Sequence, residues 1–355
     1  MVPARRGLLF GLGAAVLFGV SAPLAKTLLD DVRPQMLAGL LYVGAFVALS
    51  VVGRRSGSEA RLRRGDLQRM SAMILAGGVL APVLLLLGLD RVTGVTGSLL
   101  LNLEGPFTIA VGVGVFREHL LRQALLGAMA IFMGALLLGF GTGATRVDWA
   151  GIVLIAGACA GWAFDNNLTQ SLTVRDPRSI VRTKTGVAGV VNVALALMVG
   201  EHVPTIWVLA AVLVLGAFSY GLSVYWDALA LRSLGAAREA AVFAVAPFAG
   251  AVFAPLVLPE SIGVRELAAG VLMACGVALL LRERHSHEHV HPALEHDHVH
   301  VHDEHHRHEH DLDEHDLHEH DAGVAPSEPH SHRHVHRELV HSHPHVSDVH
   351  HRHEH

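Results

Sequence analysis

Three groups of residues in this 355-residue chain have the types and spacing to do chemistry. The most conspicuous is a histidine-rich C-terminal stretch. Residues 285–355 hold 26 of the 28 His, and runs such as HSHEHVH and HDHVHVHDEHHRHEHD alternate His with Asp and Glu. Neutral imidazole nitrogen suits Zn²⁺, Ni²⁺, Cu²⁺ and Co²⁺. An ordinary His pKa of about 6.5 leaves most of these rings neutral near pH 7. Candidate ligands are His287, His289, His291, His296, His298, His300, His302, His305, His306, His308 and His310. The stretch has no Cys and no zinc-finger spacing, so many weak, exchangeable sites are expected, not one closed site. Two other readings stay open: a neutral low-complexity extension, and a pH sensor whose net charge would swing from −12 to +14 if every His were protonated.

The second group is built around Glu104, in LLLNLEGPFTIA, with Asn102 two residues before it. Pro106 follows and removes a backbone donor, which predicts a local helix break. A carboxylate at a break inside an apolar run suits a proton or cation site, or else a structural Glu hydrogen-bonded to Asn102 or a neighbouring helix. The third group is GWAFDNNLTQ. In a helix, Trp162 shares a face with Asn166, and Asp165 with Thr169. Solute contact, a gate network and a solvated helix end are all open there. Asp227, beside Tyr225 and Trp226, is a further pathway candidate, though the two rings suit an interfacial aromatic belt. Pro106, Pro247, Arg91 and Arg232 are read as helix-break or gate residues.

The elements that must carry these residues are apolar helices. Residues 1–284 contain two His and net +7, whereas the tail nets −12. A bilayer core of about 30 Å needs roughly 20 helical residues. Ten segments fit: about 7–27, 34–53, 70–89, 93–115, 120–141, 149–170, 183–200, 205–230, 236–258 and 265–282. With the N-terminus in the cytoplasm, 18 Lys and Arg fall inside and 5 outside, which fixes both termini as cytoplasmic by the positive-inside rule. The tail cannot bury enough apolar surface to order itself and is expected to be disordered. Cys159 and Cys275 lie in apolar runs, so neither disulfide staples nor a redox motif is expected.

The two halves repeat. GLDRVTGVTGSLLLNLEGPF (88–107) aligns with LALRSLGAAREAAVFAVAPF (229–248), matching Arg91 with Arg232, Gly94 with Gly235, Pro106 with Pro247 and Phe107 with Phe248. Glu118 then matches Glu260, and Gly127 matches Gly270. Glu104 falls opposite Val245, so its carboxylate belongs to one half alone. An odd number of spans per copy makes the second copy enter the membrane from the opposite side, which is the inverted repeat of many secondary transporters. The expected fold is therefore all-α integral membrane, ten transmembrane helices as two inverted five-helix repeats. Residues 1–143 form the first, 144–284 the second, and 285–355 the His-rich cytoplasmic tail.

On these features the chain resembles the drug/metabolite transporter superfamily, and within it the EamA-like ten-span members. The matching features are the five-plus-five repeat, the apolar-Pro-Phe stretch of the fourth and ninth spans, the Glu of GVFREHL (Glu118) and VLPESIG (Glu260), and the Gly-rich closing spans LLGAMAIFMGALLL and LAAGVLMACGVALLL. The resemblance covers residues 7–282. It implies export or exchange of small organic solutes such as amino acids or metabolites across the inner membrane. The His-rich tail lies outside the family pattern.

No nucleophile elbow, phosphate-cradling Gly loop or dinucleotide fingerprint occurs, so no enzyme is expected and no cofactor is required. Divalent transition metal bound by the tail is the exception. Expected partners are the lipid bilayer, a small-molecule solute and metal ions, with a homodimer left open and no nucleic acid. Three functions remain in play: an organic-solute exporter or exchanger with a regulatory tail, a Ni/Co/Zn exporter fed by the tail, and a non-transporting membrane metal buffer or sensor. A dedicated metal path would usually carry several facing His, Asp or Cys, and only Glu104 and Asp165 are well placed in the spans.

Overall fold

The computed structural model describes residues 2–51, 66–116, 122–140, 148–170, 177–234, 236–281, 285–291, 294–300, 330–336 and 339–345. The first half contains α1 (Val2–Gly19), α2 (Ser21–Leu28), α3 (Pro34–Val51), α4 (Leu67–Met73), α5 (Ala81–Leu89), α6 (Gly94–Leu100), α7 (Glu104–Phe116) and α8 (Arg122–Gly139). The second contains α9 (Trp149–Gln170), α10 (Pro177–Met198), α11 (Ile206–Gly216), α12 (Ser223–Leu234), α13 (Ala236–Phe243), α14 (Ala246–Val257) and α15 (Val264–Leu281). Wide-pitched π segments join α4 to α5 (Ile74–Leu80) and α11 to α12 (Ala217–Leu222), and a 3-10 turn (Leu101–Leu103) joins α6 to α7.

Eight helical stretches among the described residues are long and apolar enough to cross a membrane: Arg6–Leu28, Pro34–Val51, Leu67–Leu89, Arg122–Gly139, Arg178–Met198, Ile206–Asp227, Glu239–Val257 and Val264–Leu281. The other two expected spans, 93–115 and 149–170, are helical but are not among the eight. The first is interrupted by the 3-10 turn at 101–103, and the second carries Asp165, Asn166 and Asn167 near its end. Glu104, Asp165 and Asn166 all lie in these two segments. Many large apolar side chains point away from the bundle, Trp207 at 82% and Leu256 at 77% exposure among them, as lipid-facing surfaces must.

The interior is packed through small residues. α3 lies on α10 and α11, α8 on α15, α1 on α12 and α14, α5 on α9, and α6 on α14. At the α8–α15 crossing Gly127 and Gly276 each sit so close that a Cβ on either would lie 2.7 Å from the other's carbonyl oxygen. Where α3 crosses α11, a Cβ on Gly44 would strike the Leu213 carbonyl, and one on Gly216 the Leu41 carbonyl. With no hydrophobic force between helices in lipid, this close backbone approach supplies the dispersion contact that holds them.

Beyond the helices, the described tail segments lie in four strands, β1 (His285–His291), β2 (Leu294–His300), β3 (His330–His336) and β4 (Leu339–His345). β1 pairs antiparallel with β4, and β2 with β3. Alternation of His with other residues has the two-residue period that suits an extended backbone in these segments.

Gly216→Ala should lower stability by about 1–3 kcal/mol, because the methyl has no space against the Leu41 carbonyl. Thermal unfolding of the purified variant in detergent checks this, with Gly114→Ala, where a Cβ meets nothing within 4 Å, as the neutral comparison.

Candidate functional site

The site grows out of the π segment between α4 and α5. Its wide turns pair Ala81 N–H with the Ala76 carbonyl, five residues back. Pro82, next in line, has no N–H to give to the Gly77 or Gly78 carbonyl. Side chains from other helices donate instead. Tyr42 Oη of α3 and Trp162 Nε1 of α9 both donate to Gly77 O, each at 3.0 Å. Asn192 Nδ2 of α10 donates to Gly78 O at 3.2 Å, and Gln35 Nε2 donates to Asn192 Oδ1 at 2.8 Å. Three helices from both halves therefore converge on the Gly77 and Gly78 carbonyls, at the turn where Pro82 supplies no backbone donor.

Asp165 sits against this hub. It is 1% exposed, and a Cβ on Gly77 would collide with its carboxylate. Its Oδ2 forms an ion pair with Lys184 Nζ of α10, and Thr169 Oγ1 lies 3.5 Å from Oδ1. The next residue on α9, Asn166, donates from Nδ2 to Glu104 Oε1 at 2.6 Å. Glu104 is the first residue of α7, directly after the 3-10 turn, and half-buried. Asn167 Nδ2 donates to the Thr108 and Ala163 carbonyls and pins α9 to α7.

The sequence-predicted residues divide accordingly. Glu104, Asp165 and Asn166 are brought together, while Trp162 serves the Gly77 carbonyl beside them. Asn102 is not joined to Glu104; it is buried and donates to the Leu99 carbonyl at 2.9 Å, with Met273 Sδ at 3.9 Å. Asp227 faces a residue the sequence reading missed, Glu239 of α13, through a hydrogen bond between the two carboxyl groups. Asp227 Oδ1 has no hydrogen-bond partner among the described residues. Pro106 lies in the first turn of α7, so the break falls just ahead of it, at 101–103; Pro247 lies likewise in the first turn of α14, after a turn at Ala244–Val245. Lys184 was missed as a site residue because it reads as a basic topology marker, and nothing in its spacing points to Asp165 across an intervening loop.

The loop end opposite the N-terminus is tied shut between halves. Glu260 takes Gly94 N–H at 2.8 Å and Val95 N–H at 3.1 Å, and Glu201 takes Met36 N–H at 2.8 Å. Both carboxylates of the second half thus satisfy helix N-termini of the first. Lys26 donates to the Leu89 carbonyl at 2.7 Å. Arg91 pairs with exposed Asp148 at 2.8 Å, and Asp148 also takes the Ala150 N–H that starts α9. The Arg91 hydrogen bond, then that of Ala150, holds the Asp148 carboxyl below the ordinary carboxylate range. That clasp is complete above the usual Asp pKa and is lost as pH falls through the lowered value. The Arg232 side chain and residue Glu118 lie outside the described residues. Of the tail His, the backbone is described for His287, His289, His291, His296, His298 and His300, whereas His302, His305, His306, His308 and His310 fall outside it. No group of three metal-ligating side chains is present among the described residues.

A bundle of apolar helices with polar groups paired in its interior defines a multi-pass integral membrane protein. The EamA-like transporter family matches residues 5–140 and 149–282, one copy in each half, and the chain belongs to that family within the drug/metabolite transporter superfamily. It is 32% identical over 286 residues to an uncharacterized transporter of Methanothermobacter thermautotrophicus, covering 75% of this chain and 83% of the relative. It is 24% identical over 292 residues to a probable amino-acid metabolite efflux pump of Salmonella typhimurium, covering 77% and 94%. One solved crystal structure shares the fold at a TM-score of 0.57 and 17% identity, over 77% of this chain and 94% of that one.

Tyr42→Phe and Trp162→Phe each leave the Gly77 carbonyl one donor, whereas the double variant leaves it none. The double variant should therefore lose more stability than the two singles together, by about 1–3 kcal/mol, the cost of a buried orphan carbonyl. A thermal-unfolding cycle on the four proteins measures that excess, and strict additivity would remove the shared-acceptor account.

Proposed function

We propose that this chain is a secondary transporter that exports or exchanges small organic solutes such as amino acids or metabolites. It works across the cell inner membrane with both termini cytoplasmic, and its His-rich tail binds divalent metal and regulates it. The observation that carries this reading is the contact between Glu104 and Asn166: a half-buried carboxylate of the first half meets an exposed amide of the second beside a helix break. A carboxyl group there can exchange a proton, and a boundary between two halves is where rocking would expose it to one side and then the other. The relative described as a probable amino-acid metabolite efflux pump supports the solute class.

The packing supports ten spans in two inverted five-span repeats. Let the spans be numbered in chain order, with α1–α2 the first and α15 the tenth. Span one packs on eight and nine, and span six on three and four; two pairs with seven, four with nine, and five with ten. That pattern is unchanged when each number is exchanged for the one five away. The π segments obey it too, since Ala217 begins 143 residues after Ile74, in spans eight and three. The Glu260 and Glu201 clasps close one end. Asn166 lies 17 residues beyond Trp149, about 25 Å along α9 toward the other end, where Arg178 donates to the Leu49 carbonyl across the halves.

Glu104→Gln keeps the shape and a hydrogen-bonding side chain but cannot titrate. In liposomes it should abolish solute movement driven by a pH gradient, while exchange without a gradient partly survives. Wild-type response to the gradient would remove Glu104 from coupling. A chain ending at Arg284 should keep the flux and lose its sensitivity to added Ni²⁺ or Zn²⁺; loss of flux would make the tail part of the transport machinery.

A further inference from the structure

The four tail strands form two arms that share one register. β1 and β2, within 285–300, run antiparallel to β4 and β3, within 330–345, with His285 opposite His345 at one end and His300 opposite His330 at the other. β1 ends with His291 opposite Leu339 and β2 begins with Leu294 opposite His336, so the same register carries across both pairs of strands. Each arm has seven His in its strands, and on each arm six of them stand directly opposite a His. Between the two ends, His287 is opposite His343, His289 opposite His341, His296 opposite His334 and His298 opposite His332. Alternation leaves it to the register whether His meets His or the residues between them. A slip of one residue would set no strand His opposite another.

Positions directly opposite in an antiparallel pair have Cβ atoms about 4.5–5.5 Å apart. Metal-to-imidazole bonds of about 2.0–2.1 Å let two such residues share one ion between the strands. Resting on the reading of the tail as a metal binder, we propose that its ligand unit is the facing His pair, one imidazole from each arm, and that the two arms together offer six such sites to Ni²⁺, Zn²⁺ or another divalent ion that favours imidazole. Two protein ligands leave the rest of the coordination sphere to water, so each site is open and its ion exchanges. The His of 330–345 are then as necessary as those of 285–300, although residues 301–329 separate them. His291 and His336, each opposite a Leu, take no part. Every ion bound in this way closes the loop between the arms, so metal loading and arm pairing are one event. His285 is the fourth residue after Leu281, the end of α15, so the metal-closed hairpin starts where the tail joins the last span.

Two full-length variants, each lacking four His, separate pairs from single residues. His287→Gln/His343→Gln/His298→Gln/His332→Gln empties two facing pairs. His287→Gln/His341→Gln/His298→Gln/His330→Gln breaks four. The proteins are purified in detergent and dialysed against Ni²⁺ at about pH 7.5, where the rings are neutral, and bound metal is counted per chain. Wild type should hold several ions. The four-pair variant should lose about twice as many of them as the two-pair variant, because the His of one pair act as a unit and those of different pairs do not. Equal losses from the two variants overturn the pairing and leave the tail as independent His sites, with metal binding itself intact. If wild type holds no more Ni²⁺ than a chain ending at Arg284, the pairing and the metal-binding reading fall together.

Discussion

Nothing in a bilayer core solvates a bare carbonyl or a lone charge, and that constraint organises the bundle. Pro82 leaves the turn at Gly77 and Gly78, in the middle of a span, one backbone donor short. Water would repair the loss in a soluble protein. Here Tyr42, Trp162 and Asn192 must do it, and they come from three other helices. The defect in one helix thereby becomes the joint between the halves. The same logic pairs Asp165 with Lys184 and Glu104 with Asn166. Each polar side chain buried at this joint is matched across helices, so moving one half against the other means exchanging partners, not merely sliding apolar surfaces.

Glycine contacts such as Gly127 with Gly276 allow backbones to touch with no side chain interposed. The polar clasps of Glu260 and Glu201 on helix N-termini lie at one end, and Arg178 ties the halves at the other through the Leu49 carbonyl. Close packing and polar pairing thus occupy different places: the glycine crossings for the first, and the joint and the ends for the second.

Much of this was legible in the sequence. Hydropathy and the ordered matches Arg91–Arg232 and Pro106–Pro247 gave the helical membrane class and the two-copy family, and Glu104 stood out as an acid inside an apolar run. Asp165 and Asn166 were also visible, but not their partners. Lys184 and Glu104 reach α9 across loops and other helices, a relation that spacing along one helix cannot encode. The π segments were hidden because one extra residue per turn leaves an apolar pattern unchanged; the Gly77–Gly78 pair before Pro82 was the sole hint. Glu239 escaped because it sits beside Arg238 near a span end, where charges usually mean solvent. The tail's alternation of His was read for its ligands and not for its two-residue period, which the strands at 285–291, 294–300, 330–336 and 339–345 follow.

The central claim is that the membrane bundle moves small organic solutes and that metal acts only through the tail. The direct measurement is paired flux in liposomes holding the purified chain. Radiolabelled amino acids are followed in one set, and Ni²⁺, Co²⁺ and Zn²⁺ by an entrapped chelating dye in the other. The account predicts saturable amino-acid exchange and no metal entry above that of empty liposomes. Saturable metal flux without amino-acid exchange would contradict it and make the His-rich tail the supply arm of a metal exporter.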